Sequence, residues 1–515
     1  MLKKNVCLLV FLTLCYCAPA EKIVVIPPPP DADAKLTAAD DAAKKASYVG
    51  LKAAVRMYGD FYKFSALRKK VATPYLNAVL LFALREKEIG ISNAATMELA
   101  NRLIVENTAL SGFVPYKDIV ANIMPKGKGV MGDYDARLVS PIPYSTDELE
   151  KIHADLKTKA HSDEFFAYLS AVLTCLFPYN LKDKEDPAEL LKVYPGSILL
   201  KYKAATCLFP NEDLLREITQ KDPDFFEAYY HMAEAALTRG QVLSAEEYYL
   251  KAWAGIPETP QIPIALASIY FAMEDLERSI EFYDKTLEIL PGYREAMLGK
   301  AICLSYLGRS TEAMAILEKL ISLQYFLMGE SHYWMARNLH EQKRIEEAAV
   351  QIEESKGRLP TNSEVFSLAG TIAFERGDLA KAEKNFQEAL TYNKANTEAL
   401  SLLGALYAGK EDWGNSGAFF EKAAWATRDV EDQITARILQ LEKSALSPER
   451  KNKLIQRKKS QLEKMQLTLA TTFFNAAAGY ANAGTKAKAL DMATRAADHP
   501  ALKQKAEELI ATIKK

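Results

Sequence analysis

The sequence predicts an all-α protein, and within it a solenoid of helix pairs. One pattern of large and small residues occurs six times, in units that begin at residues 226, 260, 294, 329, 363 and 397. Successive units start 34 residues apart, except for one spacing of 35. Each unit has a small residue at its eighth and twentieth places and a bulky apolar residue at its twenty-fourth. Small residues let two helices approach closely, and the bulky residue fills the groove beside them. Repetition at this length is typical of solenoids, in which each unit packs against its neighbours.

The unit from Phe226 to Pro257 shows the pattern most completely. It has Ala233 at the eighth place, Gly240 where the chain turns between two helices, and Tyr249 at the twenty-fourth place. Pattern and spacing together resemble the tetratricopeptide repeat, a pair of antiparallel helices. The resemblance covers residues 226 to 425 well. It implies a right-handed superhelix whose first helices form a concave inner wall.

Weaker signals assign the segments around these units. The pentapeptide TCLFP occurs at residues 174–178 and again at 206–210, which predicts two degenerate, shortened units within residues 161–225. The six full units then occupy residues 226–429. Residues 473–515 restore the pattern in one final unit and end in a polar stretch that is expected to be a capping helix.

The first twenty residues have the pattern of a signal peptide. Two lysines precede an apolar stretch, and Ala18, Pro19 and Ala20 form a cleavage site with small residues at its first and third places. We expect cleavage after Ala20 and export to a bacterial periplasm, with secretion as an alternative. A further alternative is acylation of Cys17, or of Cys15, which would anchor the protein to a membrane as a lipoprotein.

The chain between the leader and the repeats divides into two parts. Residues 21–45 contain four consecutive prolines and an Ala/Asp/Lys run with nothing to bury, so we expect an exposed linker there. Residues 46–160 are expected to form a helical region, because apolar residues recur at intervals of three and four. Glycines and prolines between residues 115 and 143 predict a long loop within it.

Composition and cysteine count narrow the classes of function. The chain has 515 residues, 49% of them hydrophobic, and a formal net charge of -2, a balance that argues against bulk nucleic-acid binding. Behind the leader only Cys175, Cys207 and Cys303 remain. They are expected to be small buried hydrophobic residues, although Cys175 and Cys207 occupy equivalent places in the two TCLFP segments and could face each other.

The sequence contains none of the common motifs for catalysis or metal binding. The glycine-rich segment from Met124 to Gly132 lacks the spacing of a phosphate-binding loop. His332 and His340 lie about 12 Å apart along one predicted helix, too far to bind one metal ion. We therefore expect no cofactor, no metal and no enzymatic activity. The alternative is an enzyme whose active site lies in residues 46–160.

The resemblance to tetratricopeptide repeats also implies which side chains face the concave wall. In that family these are the second, fifth, ninth, twelfth and thirteenth places of each unit. Aromatic and acidic side chains dominate the candidate protein-binding residues at these places: Tyr230, Glu234, Phe271, Tyr306, Tyr333, Arg337, His340 and Phe374. Family members that grip acidic chaperone tails carry Lys and Asn at the fifth and ninth places of their first unit. Here Tyr230 and Glu234 stand there, so that clamp is absent.

Residues 430–472 interrupt the repeats with a basic helical insertion. A helix is predicted to start at Ser447 and Pro448 and to continue into the final unit. Between residues 443 and 464 the chain has eight basic and two acidic residues. The candidate basic surface comprises Lys451, Lys453, Arg457, Lys458 and Lys459. It is interpreted either as a solvated helix face or as a dock for anionic lipid headgroups or an acidic partner.

Together these patterns predict a non-enzymatic interaction scaffold of the bacterial cell envelope, which binds a protein or peptide segment in its concave groove. The main alternative is a membrane-anchored structural lipoprotein. The oligomeric state and the identity of the partner are left open.

Overall fold

The computed structural model describes residues 27–91, 93–122, 145–176, 181, 186–207, 210–324, 326–444 and 446–515. Every regular element in these ranges is a helix, which confirms the predicted all-α class. The predicted signal peptide, Cys17 and most of the predicted long loop lie outside the described residues. The described residues divide into two compact units: those up to residue 203, except residues 88–91, form the first, and residues 88–91 with those from residue 204 onward form the second.

The first unit is an assembly of helices of uneven length, with a 3₁₀ helix between α4 and α5. Their bounds are α1 (Ala32–Lys44), α2 (Tyr48–Tyr62), α3 (Ser65–Glu88), α4 (Ala94–Glu106), the 3₁₀ helix (Thr108–Phe113), α5 (Val114–Asn122), α6 (Thr146–Ala160), α7 (Glu164–Leu176), α8 (Pro187–Val193) and α9 (Ile198–Thr206). Helix α5 occupies the start of the segment that was expected to be a loop. Pro115 is its second residue, a position where the missing N–H of proline costs no helical hydrogen bond.

The expected exposed linker is wrong from Ala32 onward. Residues 32–44 form α1, which buries Leu36 and Ala39 against the first unit. The Tyr58 hydroxyl of α2 donates a hydrogen bond to Asp40 of α1. Alanine is the best helix former and needs little space, so an Ala-rich run can pack closely on a neighbour although it has few large apolar side chains.

A buried arginine lies at the centre of the first unit. Arg85 of α3 donates from Nε to the carbonyl oxygen of Ala46 at 3.0 Å and from Nη1 to the Tyr168 hydroxyl at 2.9 Å. Its guanidinium also lies 4.1 Å from the centre of the Tyr202 ring. Burial of a charge is tolerated when hydrogen bonds and aromatic faces replace water.

The second unit is the repeat array, and each of the six predicted units corresponds to two helices. Their bounds are α11 (Phe226–Thr238) with α12 (Val242–Gly255), α13 (Gln261–Ala272) with α14 (Leu276–Ile289), α15 (Arg294–Tyr306) with α16 (Ser310–Ser322), α17 (Met328–Glu341) with α18 (Ile345–Arg358), α19 (Ser363–Glu375) with α20 (Leu379–Tyr392), and α21 (Thr397–Gly409) with α22 (Trp413–Glu442). Helix α10 (Glu212–Lys221) precedes them, and α23 (Pro448–Asn482), α24 (Lys486–Ala497) and α25 (Pro500–Lys514) follow.

The small and large residues of the repeat pattern meet in the core between paired helices. Gly370 shows this most directly, because a Cβ built there would lie 2.5 Å from the ring of Phe386, the bulky residue of the same unit. Ala301 and Leu317 are both fully buried in the core of unit three. The spacing of small and bulky residues therefore reports real helix contacts.

In every unit, the turn between the two helices has a residue with a left-handed backbone at the same place. Units one, three and five place glycine there, whereas units two, four and six place a charged residue with φ near 60°. These residues are Gly240, Glu274, Gly308, Lys343, Gly377 and Glu411. A left-handed backbone is unfavourable for residues with a Cβ, so the three charged residues carry local strain.

Helices α22 and α23 form a long hairpin of 30 and 35 residues. Its two helices are held together by an apolar cluster that includes Ile434, Ile438 and Leu454. Helix α23 begins at Pro448 after the cap position Ser447, which confirms the predicted helix start, and it runs without a break into the final repeat unit. In the following text we call α22 and α23 the hairpin.

The three cysteines of the body behave differently from one another. Cys303 is a free, buried thiol, and burial raises its pKa to about 11. Cys175 and Cys207 are both disulfide-bonded. The interpretation of all three as plain buried hydrophobic residues is therefore wrong for Cys175 and Cys207. Among the described helices, none combines the length and the apolar character needed to cross a bilayer.

Candidate functional site

Four of the predicted wall residues meet in one aromatic cluster on units two to four. The ring of Phe271 lies 6.1 Å from that of Tyr306, which lies 5.2 Å from that of Trp334. Tyr333 continues the series at 5.4 Å from Trp334. The Arg337 guanidinium lies over the Tyr306 ring at 5.3 Å and over Trp334 at 5.1 Å. These contacts between successive first helices form a continuous row of rings, in which Trp334 is buried, with one cation stacked on it.

An apolar recess opens beside this cluster, with a volume of about 250 Å³. Five of the residues that line it stand at places that face the groove in tetratricopeptide repeats, and the others come from α14, from α15 and from the turn before α17. The lining residues are Ser268, Phe271, Tyr283, Glu295, Leu298, Gly299, Ile302, Phe326 and Leu327. Gly299 lets the Tyr283 ring pack directly against α15, because a Cβ at this position would lie 2.3 Å from that ring.

Two aromatic side chains at this site are open to solvent. Tyr306 is 51% exposed and Phe326 is 49% exposed, whereas most large apolar side chains of the array are buried. Exposed aromatic residues grouped around an apolar recess are typical of binding surfaces rather than of a solvated helix face.

The other predicted wall residues make contacts of their own. Tyr230 packs at 5.8 Å from the ring of Tyr249, and Glu234 lies 3.0 Å from His231. His340 Nε2 lies 3.1 Å from the carboxylate of Glu375. Phe374 packs against the core of units five and six. Phe374 therefore contributes to the core, and Tyr230 packs within unit one.

Two neighbouring carboxylates extend the wall in units five and six. Ser367 and Thr371 donate hydrogen bonds to Glu398 at 3.3 and 2.9 Å. Partial burial and the charge of Glu398 raise the pKa of Glu364, against the opposing effect of Arg337. Burial and the charges of Glu364 and Glu398 raise the pKa of Tyr333 to about 12, although Arg337 acts to lower it.

Sequence reasoning missed several residues of the recess. Ile302 stands at the ninth place of unit three and could have been taken from the same pattern. Phe326 and Leu327 lie in the turn before α17, where the single 35-residue spacing adds one residue to the array. The longer turn was visible in the sequence, but its position over the recess was not.

The basic side of α23 is held against the first two repeat units. Arg457 donates to both carboxylate oxygens of Glu277 at 2.9 Å and to the carbonyl oxygen of Glu274. Lys458 pairs with the Glu274 side chain, and Lys453 lies 3.5 Å from Asp275. We call this set of ion pairs, together with those of Arg450, the latch.

The most buried part of the latch surrounds Arg450. This side chain pairs with Glu246 of α12 and lies 3.8 Å from the carboxylate of Asp275. The Tyr270 hydroxyl donates to the same Glu246 at 2.8 Å, and the guanidinium lies 5.0 Å from the centre of the Tyr270 ring. Charged groups buried in this way are costly unless a charge of opposite sign lies nearby, and Arg450 has two carboxylates beside it.

The latch changes the interpretation of the candidate basic surface. Three of its five members, Lys453, Arg457 and Lys458, form ion pairs within the protein. Lys451 donates to the carbonyl oxygen of Glu442 at 3.1 Å, and Lys459 is exposed. The local excess of positive charge is therefore largely balanced by carboxylates from a distant part of the chain. Within the described residues, no cluster of three or more His, Cys, Asp or Glu is placed to hold a metal ion.

Two family models match the chain inside the predicted units. Both are described as tetratricopeptide repeat, and they match residues 264–292 and 368–429. The chain contains tetratricopeptide repeats. Tetratricopeptide repeats indicate a protein-interaction scaffold, and proteins that carry them bind protein or peptide partners.

Comparison with individual proteins gives distant likenesses. The human Protein O-mannosyl-transferase TMTC1 is 23% identical over 203 residues, which are 38% of this chain and 23% of that protein. The chain thus spans less than a quarter of the length of this relative. A tetratricopeptide repeat protein from Parabacteroides merdae ATCC 43184 covers 53% of this chain with 98% of its own, at 15% identity and a TM-score of 0.35. The structure of Pseudomonas aeruginosa pilF covers 39% of this chain with 91% of its own, at 17% identity and a TM-score of 0.35.

Proposed function

We propose that this protein is a non-enzymatic scaffold of the bacterial cell envelope that holds a protein or peptide segment against the wall of its repeat array. One observation carries the proposal: Tyr306 and Phe326 are exposed beside an apolar recess on units two to four. A partner that covered these rings would remove apolar surface from water, which is the main driving force of association.

The recess has the size and chemistry to hold one bulky side chain of a partner. Burial of a leucine or phenylalanine side chain stabilises a complex by roughly 1.5–3 kcal/mol. The rigid rings of Phe271, Tyr306 and Trp334 already contact one another, so the surface loses little conformational entropy when it binds. Such a site anchors a segment at one residue, while the rest of the wall sets direction and specificity.

Site-specific cross-linking in the cell tests this proposal. A photoreactive phenylalanine replaces Tyr306 in one version of the protein and Leu379, an exposed residue on α20, in the matched control. We expect discrete cross-linked products of defined mass from position 306 and none from position 379. Equal cross-linking from both positions, or none from position 306, would remove the support for the wall as a binding site.

Export and the envelope setting form a separate part of the proposal, supported by the pattern of the first twenty residues. Mass spectrometry of the mature N-terminus distinguishes the alternatives. A free Glu21 supports a soluble exported protein, and an acylated Cys17 supports the anchored structural lipoprotein. An unprocessed Met1 contradicts both.

Lipid binding is proposed only under one condition, and enzymatic activity is not proposed. Binding of anionic lipid headgroups by α23 would require Arg457 and Lys458 to leave Glu277 and Glu274, so it is proposed only for an open latch. The transferase activity in the name of the human relative is not proposed, since less than a quarter of that protein is matched. Turnover by the purified protein of an activated mannose donor would revive the enzyme alternative.

A further inference from the structure

We propose that the segment held by the wall is basic and carries one bulky apolar side chain, which enters the recess while its lysines or arginines face the carboxylates along the wall. This inference rests on the proposed function, because it names the chemistry of what occupies the same wall.

The apolar anchor follows from the lining of the recess. Five of its nine lining residues have large apolar side chains, namely Phe271, Leu298, Ile302, Phe326 and Leu327. Only Ser268, Tyr283 and Glu295 bring polar side chains to the lining, so a polar side chain in this position would lose more hydrogen bonds to water than it gains from the recess. A leucine, methionine or phenylalanine has no such cost.

The basic character follows from the charge of the groove-facing places. Six units provide thirty such places, and eight of them hold glutamate while Arg337 is the single lysine or arginine. Glu227 is buried. The other seven are half-buried or exposed: Glu234, Glu295, Glu330, Glu341, Glu364, Glu375 and Glu398. A wall of one sign of charge attracts the opposite sign and rejects its own.

Cations of the protein balance only part of this charge. Arg337 lies 3.5 Å from Glu341, and Glu375 has His340 and Lys343 within 3.1 and 3.6 Å. One carboxylate oxygen of Glu330 is buried and accepts no hydrogen bond from any described residue.

The carboxylates of units five and six add a second indication. Partial burial, and after it the nearby charge of Glu398, raise the pKa of Glu364 although Arg337 acts to lower it, so these two carboxylates lie close enough to interact. A lysine or arginine of a partner between them would relieve their mutual repulsion.

An acidic segment is the natural rival, because other tetratricopeptide proteins bind acidic tails. This wall disfavours it on two grounds. Tyr230 and Glu234 replace the cation and the amide that such a clamp needs, and an acidic chain would lie against carboxylates such as Glu330, Glu364 and Glu398, which form no ion pair with a described residue. A neutral apolar segment would fill the recess but leave the carboxylates unused.

Selection from a random peptide library tests the inference without assuming a sequence. A phage-displayed decapeptide library is selected on the full-length protein, and the selected peptides are then measured against Ile302→Trp, which fills the recess. Leu379→Trp is the matched control, because it adds the same side chain at an exposed position on an outer helix. Phe326→Ala serves as a second variant that removes an exposed ring and leaves the core untouched.

We expect the selected peptides to combine two or more lysines or arginines with one leucine, methionine or phenylalanine. Their affinity should fall at least tenfold in Ile302→Trp and in Phe326→Ala and stay within twofold in Leu379→Trp. Replacing their basic residues by glutamate should weaken binding at least tenfold, as should raising the salt concentration from low to high.

The possible failures separate the two proposals. Peptides that need the recess but are acidic or uncharged would overturn the inference and leave the binding function standing. Peptides that bind Ile302→Trp and Phe326→Ala as well as the parent protein would overturn both, because the recess would then have no part in binding.

Discussion

The latch provides the sharpest test of the structure, through the single substitution Arg450→Met. Methionine keeps an unbranched apolar stem and removes the guanidinium with its charge and its hydrogen bonds. The side chains of Arg450, Glu246 and Asp275 are 12%, 8% and 3% exposed. Removal of one partner from a buried ion pair generally costs about 3–5 kcal/mol, because the other charge is left without compensation.

The expected loss lies at the lower end of that range. When Arg450 is removed, the hairpin can move away from the repeats, and Glu246 and Asp275 then regain water. The loss therefore cannot exceed the free energy that holds the hairpin on the repeats. We expect about 3 kcal/mol, and since 1.4 kcal/mol corresponds to a factor of ten, the open state should become on the order of 100-fold more populated.

Thiol labelling measures this population directly. Met273 is buried beside Arg450, whose Nη2 lies 3.2 Å from its sulfur, so Met273→Cys introduces a thiol that the hairpin covers. In that background Arg450→Met should raise the labelling rate on the order of 100-fold. The control is Lys459→Met, which removes one charge from an exposed position of the same helix and should change the rate by less than twofold. Equal rates in the two variants would refute the latch.

Three further predictions use other measurements. Burial acts to raise the pKa of Glu277, but its hydrogen bonds with Arg457 lower that pKa below its ordinary value of 4.5. The contribution of Glu277 to the latch is therefore complete above about pH 4.5 and is lost as the pH falls below it. Labelling of Met273→Cys by dithiodipyridine should accelerate in that acidic range. Lys343→Gly should stabilise the protein by about 1 kcal/mol in urea denaturation and Gly377→Ala should destabilise it by a similar amount, because both positions have a left-handed backbone. The Cys303 thiol, with its pKa raised by burial to about 11, should resist iodoacetamide at pH 8 until the protein is denatured, and fast alkylation of the native protein would contradict its burial.

The repeat array could be predicted from the sequence because its determining contacts are local. The eighth and twenty-fourth places lie within one helix pair, so their sizes are correlated at short range, as Gly370 and Phe386 show. The start of α23 is also a local signal, and it was predicted correctly from Ser447 and Pro448. Patterns of this kind repeat or punctuate the chain, and a single sequence is enough to read them.

Helix α1 and the recess could be predicted only in part, since they depend on how much space a neighbour leaves. An Ala-rich run has the same composition whether it is exposed or packed closely, so the burial of Ala39 gave no local signal. The recess depends on two features that lie side by side in the folded array. One is the extra residue in the spacing before unit four, and the other is the absence of a side chain at Gly299. Each feature can be seen in the sequence, but their proximity can be seen only in the folded array.

The latch shows why a local excess of charge is weak evidence for an external partner. From residue 443 to residue 464 the sequence has six more basic than acidic residues, and no nearby segment balances them. The partners, from Glu246 to Glu277, are on the order of 180 residues away in sequence, a separation at which no periodicity or spacing is informative.

The way the protein balances its own acidic side chains also indicates what the wall binds. Four carboxylates of units one and two, those of Glu246, Glu274, Asp275 and Glu277, form ion pairs with cations of α23. Among the groove-facing glutamates of units four to six, Glu341 pairs with Arg337, and Glu375 with His340 and Lys343, whereas Glu330, Glu364 and Glu398 form no ion pair with a described residue. On units one and two the protein balances four acidic side chains with a basic helix. A basic segment from another molecule is the matching solution for the remaining carboxylates, and the apolar recess between units two and four gives that segment a fixed register.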